Sequence, residues 1–216
     1  TELKAITQQF IDADRGVFWN LCDGNLEGAF AAALDIVDNV LETGAQGVEV
    51  VFVGNGGGTG AAVGHLTISD NLIGVVSETQ FEGVRINTME SADVVVALTD
   101  NFVNSAGDGI HVENELSAVL DATVTGTTGS EDVWVENLSS GVACTEMTGN
   151  TVALLGVSRV DGTLALDGYT GDGLDAGAIA VYLDTLNNTT GYSVATGSAP
   201  GITNATCRDP ESPVFP

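Results

Sequence analysis

The sequence predicts an all-β repeat fold, a solenoid of short stacked strands, and three observations carry that prediction. One phrase recurs: Ala33-Leu34-Asp35-Ile36-Val37-Asp38-Asn39-Val40, then His65-Leu66-Thr67-Ile68-Ser69-Asp70-Asn71-Leu72, then Val96-Ala97-Leu98-Thr99-Asp100-Asn101-Phe102. A degenerate copy, Thr145-Glu146-Met147-Thr148-Gly149-Asn150-Thr151, follows later. After each phrase comes a variable stretch, then a Gly or Asp that opens an alternating apolar run: Gly47-Val48-Glu49-Val50, Gly83-Val84-Arg85-Ile86, Gly109-Ile110-His111-Val112 and Asp132-Val133-Trp134-Val135. Gly162-Thr163-Leu164 extends the series. The same spacing separates Gly83 from Asn101, Gly109 from Thr127 and Asp132 from Asn150, so part of each unit is fixed and the loops absorb the variation. Self-similarity of this kind indicates stacked supersecondary units.

Along the chain, residues 1–15 differ in kind. Leu3, Ile6, Phe10 and Ile11 share one helical face and Lys4, Gln8, Asp12 and Asp14 lie elsewhere, so an amphipathic cap is expected over the end of the stack. The Ala29 to Ala33 run reads as a short helix at the same end. Residues 16–205 form the repeated body, in which Leu66 and Ile68, or Val94, Val96 and Leu98, alternate as strands with one buried face do. After residue 45 no helical period is expected. Residues 206–216, with Pro210, Pro213 and Pro216, make a poor strand and are read as a tail or strap.

Short strands with Asn or Gly at the corners resemble the right-handed parallel β-helix superfamily of pectate-lyase-like solenoids. That resemblance implies about seven rungs, beginning near Gly16, Gly47, Gly83, Gly109, Asp132, Gly162 and Gly191, with Asn39, Asn71, Asn101 and Asn150 along one corner. Asn suits such a corner because its short amide tolerates the left-handed backbone region and can bond to its copies above and below. A β-sandwich is the alternative fold, although it leaves the return of Asp-Asn in one frame unexplained. The superfamily holds lyases, glycoside hydrolases, adhesins and tailspikes, so the resemblance bears on architecture and says little about activity.

Composition narrows the partners. Thirty acidic residues against five basic ones give a net charge of −25. No basic stripe exists to bind nucleic acid, and no apolar run is long enough to span a membrane, so neither nucleic-acid binding nor membrane insertion is expected. The chain starts without Met, which suits a secreted, processed protein at an extracellular or cell-surface location. The acidic surface is read first as solvation in salt and second as cation binding, for which calcium is the candidate cofactor although none is required. Asp108 with Glu113, and Asp172 with Asp175, are the candidate metal ligands, each in or beside a Gly-Asp-Gly turn. Four acceptor triplets for glycosylation begin at Asn137, Asn187, Asn188 and Asn204.

Three cysteines form an odd set. Cys144 reads as a small core residue, whereas Cys22 and Cys207 lie near opposite ends, about 30 Å apart at about 4.8 Å per rung. A Cys22–Cys207 bridge is therefore expected between stacked subunits, unless the tail folds back along the body.

For function, the resemblance would place a basic residue and calcium in a lyase, or an Asp cluster with His and Arg-x-Lys in a hydrolase. Arg85 and Arg159 stand apart, Arg-x-Lys is absent, and His65 and His111 read as isolated, with His111 a surface residue between buried Ile110 and Val112. Trp134, flanked by Val133 and Val135, points outward and is the candidate for stacking on a glycan or partner. The expected function is a secreted, self-associating structural protein, a filament subunit or surface adhesin stacking head to tail, with copies of itself as partner. The alternative is a carbohydrate-active enzyme acting on neutral glycans.

Overall fold

The computed structural model describes residues 33–37, 40–41, 47–54, 63–74, 79 and 81–210, all within the second of two compact units, Ala33–Pro216. The expected cap over 1–15, the Ala29 run, Asn39, Cys22 and the last residues of the tail lie outside the described residues. In chain order the strands begin β1 (Ala33–Val37), β2 (Val40–Leu41), β3 (Val48–Val53), β4 (Val63–Ser69), β5 (Leu72–Ile73) and β6 (Val84–Met89). They continue β7 (Asp93–Thr99), β8 (Phe102–Val103), β9 (Ile110–Asn114), β10 (Val119–Thr125), β11 (Thr128–Gly129), β12 (Asp132–Asn137) and β13 (Val142–Thr148). Then come β14 (Leu154–Arg159), β15 (Thr163–Asp167), helix α1 (Ala176–Leu186), β16 (Gly191–Ala195) and β17 (Ile202–Ala205).

These strands form three sheets, and every pairing is parallel. The first runs β1-β4-β7-β10-β13-β15-β17, the second β2-β5-β8-β11, and the third β3-β6-β9-β12-β14-β16. From β3 to β11 the chain visits the third, first and second sheets in rotation, so each strand pairs with the strand three later. The fold is all-β with one helix among the described residues.

The alternation sets which side chains go inside. Ile36, Ile68, Leu98, Val124 and Met147 are successive register partners in the first sheet, as the repeat predicts. Ile68, Leu98, Val124 and Met147 are buried. In the third sheet Val84, Ile110, Val133 and Leu155 fill one column, and Ile86, Val112, Val135 and Val157 the next.

The expected Asn corner is present, with a difference in how it is made. The left-handed backbone falls on the residue before each corner position, Asn71, Asn101, Thr127 and Asn150: Asp70 (φ 58), Asp100 (φ 53), Gly126 (φ 64) and Gly149 (φ 68). The Asn itself serves as a hydrogen-bonding spacer. Asn71 N and Nδ2 donate to Asn101 Oδ1 at 3.2 and 3.0 Å, and Asn101 Nδ2 donates to Ile68 O at 2.7 Å. Asn150 Nδ2 repeats that bond to Val124 O, and Asn187 Nδ2 repeats it to Met147 O, each at 2.9 Å. Thr127 breaks the ladder, and its Oγ1 is buried without a partner. A second ladder, not foreseen from the sequence, joins Thr88, Asn114 and Asn137. Thr88 Oγ1 donates to Asn114 Oδ1 at 2.7 Å and Asn114 Nδ2 to Asn137 Oδ1 at 2.9 Å. Arg159, next in register, sends its guanidinium to the carbonyls of Gly162, Thr196 and Ser198.

Three expectations need correction. Thr163–Asp167, read as equivalent to the run after Gly109, instead belongs to the first sheet, paired with β13. Leu154–Arg159 takes the third-sheet place, and Gly162 (φ 64) is the turn between them. Secondly, α1 is a helix after residue 45. Asp175 caps it by accepting from Ala178 N at 3.0 Å, and Ile179, Tyr182, Leu183 and Leu186 share one face, with Ile179 and Leu183 buried.

The third concerns the cysteines. Ala143 and Met147 take the inward positions of β13 in the hydrophobic core, so Cys144 points outward. It is bonded to Cys207, with Cα atoms 5.4 Å apart. The chain after β17 therefore folds back over the first sheet, and Cys207 is not available to Cys22 of a neighbour. This strap reaches further. Cys207 N donates to Asp167 Oδ2 on β15 at 3.1 Å, and Arg208 N and Nε donate to Asp121 on β10 at 2.9 and 2.6 Å. An Arg208 terminal nitrogen then reaches Asp93 on β7 at 2.6 Å. Burial opposes the Arg208 charge, and the bonds to Asp93 and Asp121 outweigh it, so the guanidinium pKa is raised.

Candidate functional site

The outer face of the third sheet gathers the chemistry. Because Val84, Ile86, Ile110, Val112, Val133 and Val135 turn inward, the residues between them turn outward in register. One row is Arg85, His111 and Trp134, and the next is Asn87, Glu113 and Glu136. Asp108, in the turn before β9, joins them.

His111 stands at the centre. Its Nδ1 lies 3.3 Å from Asp108 Oδ2, and its Nε2 lies 3.1 Å from Glu136 Oε2 and 3.6 Å from Glu113 Oε1. Arg85 holds the other Glu113 oxygen at 2.8 Å and approaches Glu82 at 3.8 Å. The hydrogen bond to Glu113 raises the Arg85 pKa against the opposing effect of burial. Burial pushes the Asp108 carboxyl up; the His111 charge opposes this, and Asp132, Glu82 and Glu136 add to it. Asp132 is also raised, first by burial and then by Glu131, while a hydrogen bond with Trp134 holds it down.

Of the sequence candidates, Asp108 and Glu113 do come together, with His111 between them. His111 is thus neither isolated nor a plain surface residue. Trp134 points outward as expected and lies across Gly156 of β14, where an added Cβ would clash with the ring. Asp172 and Asp175 serve the turn and cap before α1: Asp172 Oδ1 accepts from Leu174 N at 3.0 Å, and Asp175 caps the helix. Among the described residues, the groups of metal-ligand type are His111 with Glu113 and Glu136, and Asp121 with the two disulfide cysteines. The second is spent on the strap. Of the glycosylation triplets, Asn137 is buried and Asn187 is in the Asn ladder, whereas Asn188 and Asn204 are exposed.

Glu136 was missed by sequence reading, although the repeat frame held the signal. His111 and Trp134 both fall two residues after their unit's opening Gly or Asp, and Glu113 and Glu136 both fall four after it. Comparison with protein-family models, with curated proteins and with solved structures gives no match, so function is read from this geometry.

Proposed function

We propose that this chain is an extracellular structural module, a right-handed parallel β-helix of about seven rungs that associates with copies of itself. The strap carries this reading. A disulfide across a separation of 63 residues, with Cys207 N bonded to Asp167 and Arg208 reaching Asp121 and Asp93, staples four strands of the first sheet from outside. Bonds of this kind persist in oxidising compartments, which supports a secreted location. Self-association is favoured by β16 and β17, which end the pairing orders of their sheets among the described residues, where a further strand could add. With Cys207 held within its own chain, such contacts form without an intersubunit bridge.

Electron microscopy and sedimentation of purified material test it. Uniform fibres or concentration-dependent oligomers support the module; monodisperse monomers at all concentrations count against self-association. The second reading, a carbohydrate-active enzyme, is favoured by the facing Glu113 and Glu136, whose ligand oxygens lie within 4.8 Å, near the separation that retaining glycoside hydrolysis uses. Turnover of a neutral polysaccharide that is lost in Glu136→Gln would establish it. Calcium, as a bridge between carboxylates, belongs to the same set of tests.

A further inference from the structure

We infer that His111, Glu113 and Glu136 form a binding site for a divalent first-row transition metal of the zinc type. The three residues each bring a ligand atom within 4.8 Å of the others, and His111 Nε2 faces Glu113 Oε1 and Glu136 Oε2. In a tetrahedral zinc site with bonds of about 2.0–2.1 Å, neighbouring ligand atoms lie about 3.3–3.5 Å apart. The two edges at His111 Nε2, 3.1 and 3.6 Å, bracket that value. The third edge, between the two glutamates, is within 4.8 Å.

The surrounding groups orient these ligands as metal-site neighbours do. Asp108 Oδ2 faces His111 Nδ1 from behind, the place a carboxylate takes beside a metal-ligating imidazole, and Nε2 is the nitrogen turned to the two glutamates. Arg85 takes one oxygen of Glu113 and leaves the other toward His111.

Asn87, beside Glu113 in the sheet, adds a second observation. It is only 8% exposed, and its Oδ1 is buried with no donor. Its Nδ2 is already given to Glu115 Oε1 at 3.0 Å. The patch thus holds Asp108, Glu113, Glu115, Glu136 and an orphaned amide oxygen against one imidazole and one guanidinium. A cation satisfies such an excess of acceptors, and the imidazole selects zinc, cobalt or nickel over calcium, which prefers six to eight oxygens. Three protein ligands leave a fourth position for water or a ligand oxygen.

The test uses the full chain after chelator treatment and dialysis. Zinc affinity is measured by competition with a chromophoric chelator, and Co2+ serves as a spectroscopic probe. We expect one zinc per chain, an intense visible Co2+ band of tetrahedral type, and loss of both in His111→Ala and in Glu136→Gln. Asp108→Asn should weaken binding by about 10–100-fold. His65→Ala, on the first sheet, should bind as the parent does, and circular dichroism checks that each variant is folded. Failure of the folded parent to bind zinc, or equal affinity in folded His111→Ala, overturns the inference. Calcium binding that exceeds zinc binding and ignores His111 overturns it as well.

Discussion

Removing the strap's disulfide in a Cys144→Ala/Cys207→Ala double variant leaves no stray thiol at either position. It takes away a crosslink closing 63 residues of chain. In the chain-entropy account, a loop of that length destabilises the unfolded state by about 4 kcal/mol at 25 °C. For a chain of 216 residues each kcal/mol moves the melting temperature by about 2–4 °C, so a fall of about 8–16 °C is expected. The Arg208 contacts to Asp121 and Asp93 do not depend on the bridge, so the strap should weaken without the body losing its fold. Calorimetry of the parent and the double variant under oxidising conditions reads the shift, and the parent under reductant should move by a similar amount. A fall below about 3 °C would refute the idea that the strap holds the body together. So would a parent whose non-reducing electrophoresis shows Cys207 linked to another chain.

Other expectations follow from single sites. Thr127→Asn should complete the first ladder, because an amide there can accept from Asn101 and donate to Leu98 O as Asn150 does to Val124 O. A gain of about 1 kcal/mol in urea unfolding is expected, and a loss would show the corner cannot take the amide. Asp132→Asn tests the raised carboxyl. With the folded pKa above the unfolded value, this group's contribution is fully present below the unfolded pKa and is lost as pH rises through the folded one. The variant should therefore be more stable than the parent at pH 7, with the difference vanishing below about pH 4, the ordinary Asp range. A difference that grows on acidification would contradict the assignment. Melting temperature should also rise with NaCl, since screening shortens the range of repulsion at a net charge of −25. A flat response to NaCl with a steep one to a divalent ion would favour bound cations instead.

How far the fold was legible depended on which residues spoke through period two. Ile68, Leu98 and Val124 named their column directly, because a strand with one buried face must alternate. The Asn corner was visible as a recurrence, yet its chemistry was not. A sequence shows that Asn71 and Asn101 recur, but whether the left-handed residue is Asn or its predecessor is decided by backbone closure. Helix α1 escaped notice because Ala176, Gly177, Ala178 and Ala180 dilute its apolar stripe, although the Asp175 cap and the Ile179, Tyr182, Leu183 spacing were there. Cys144 was assigned to the wrong face because Val142, which is exposed, imitates a core position. At the site, Asp108 and Glu113 were found as acids in turn-like sequence, whereas Glu136 and the central place of His111 depend on strands 25 residues apart lying side by side.

The stacking itself, on which strap, ladders and site all depend, is tested most directly by nitroxide pairs on the outward column Ser69, Thr99, Thr125 and Thr148, measured by continuous-wave electron paramagnetic resonance. Adjacent positions are one strand spacing apart, about 4.8 Å, and alternate ones about 10 Å. Strong spin coupling in Ser69/Thr99, Thr99/Thr125 and Thr125/Thr148, weaker in Ser69/Thr125 and weakest in Ser69/Thr148, is the expected order. Uncoupled spectra for Ser69/Thr99 or Thr125/Thr148 in folded protein would contradict the parallel register.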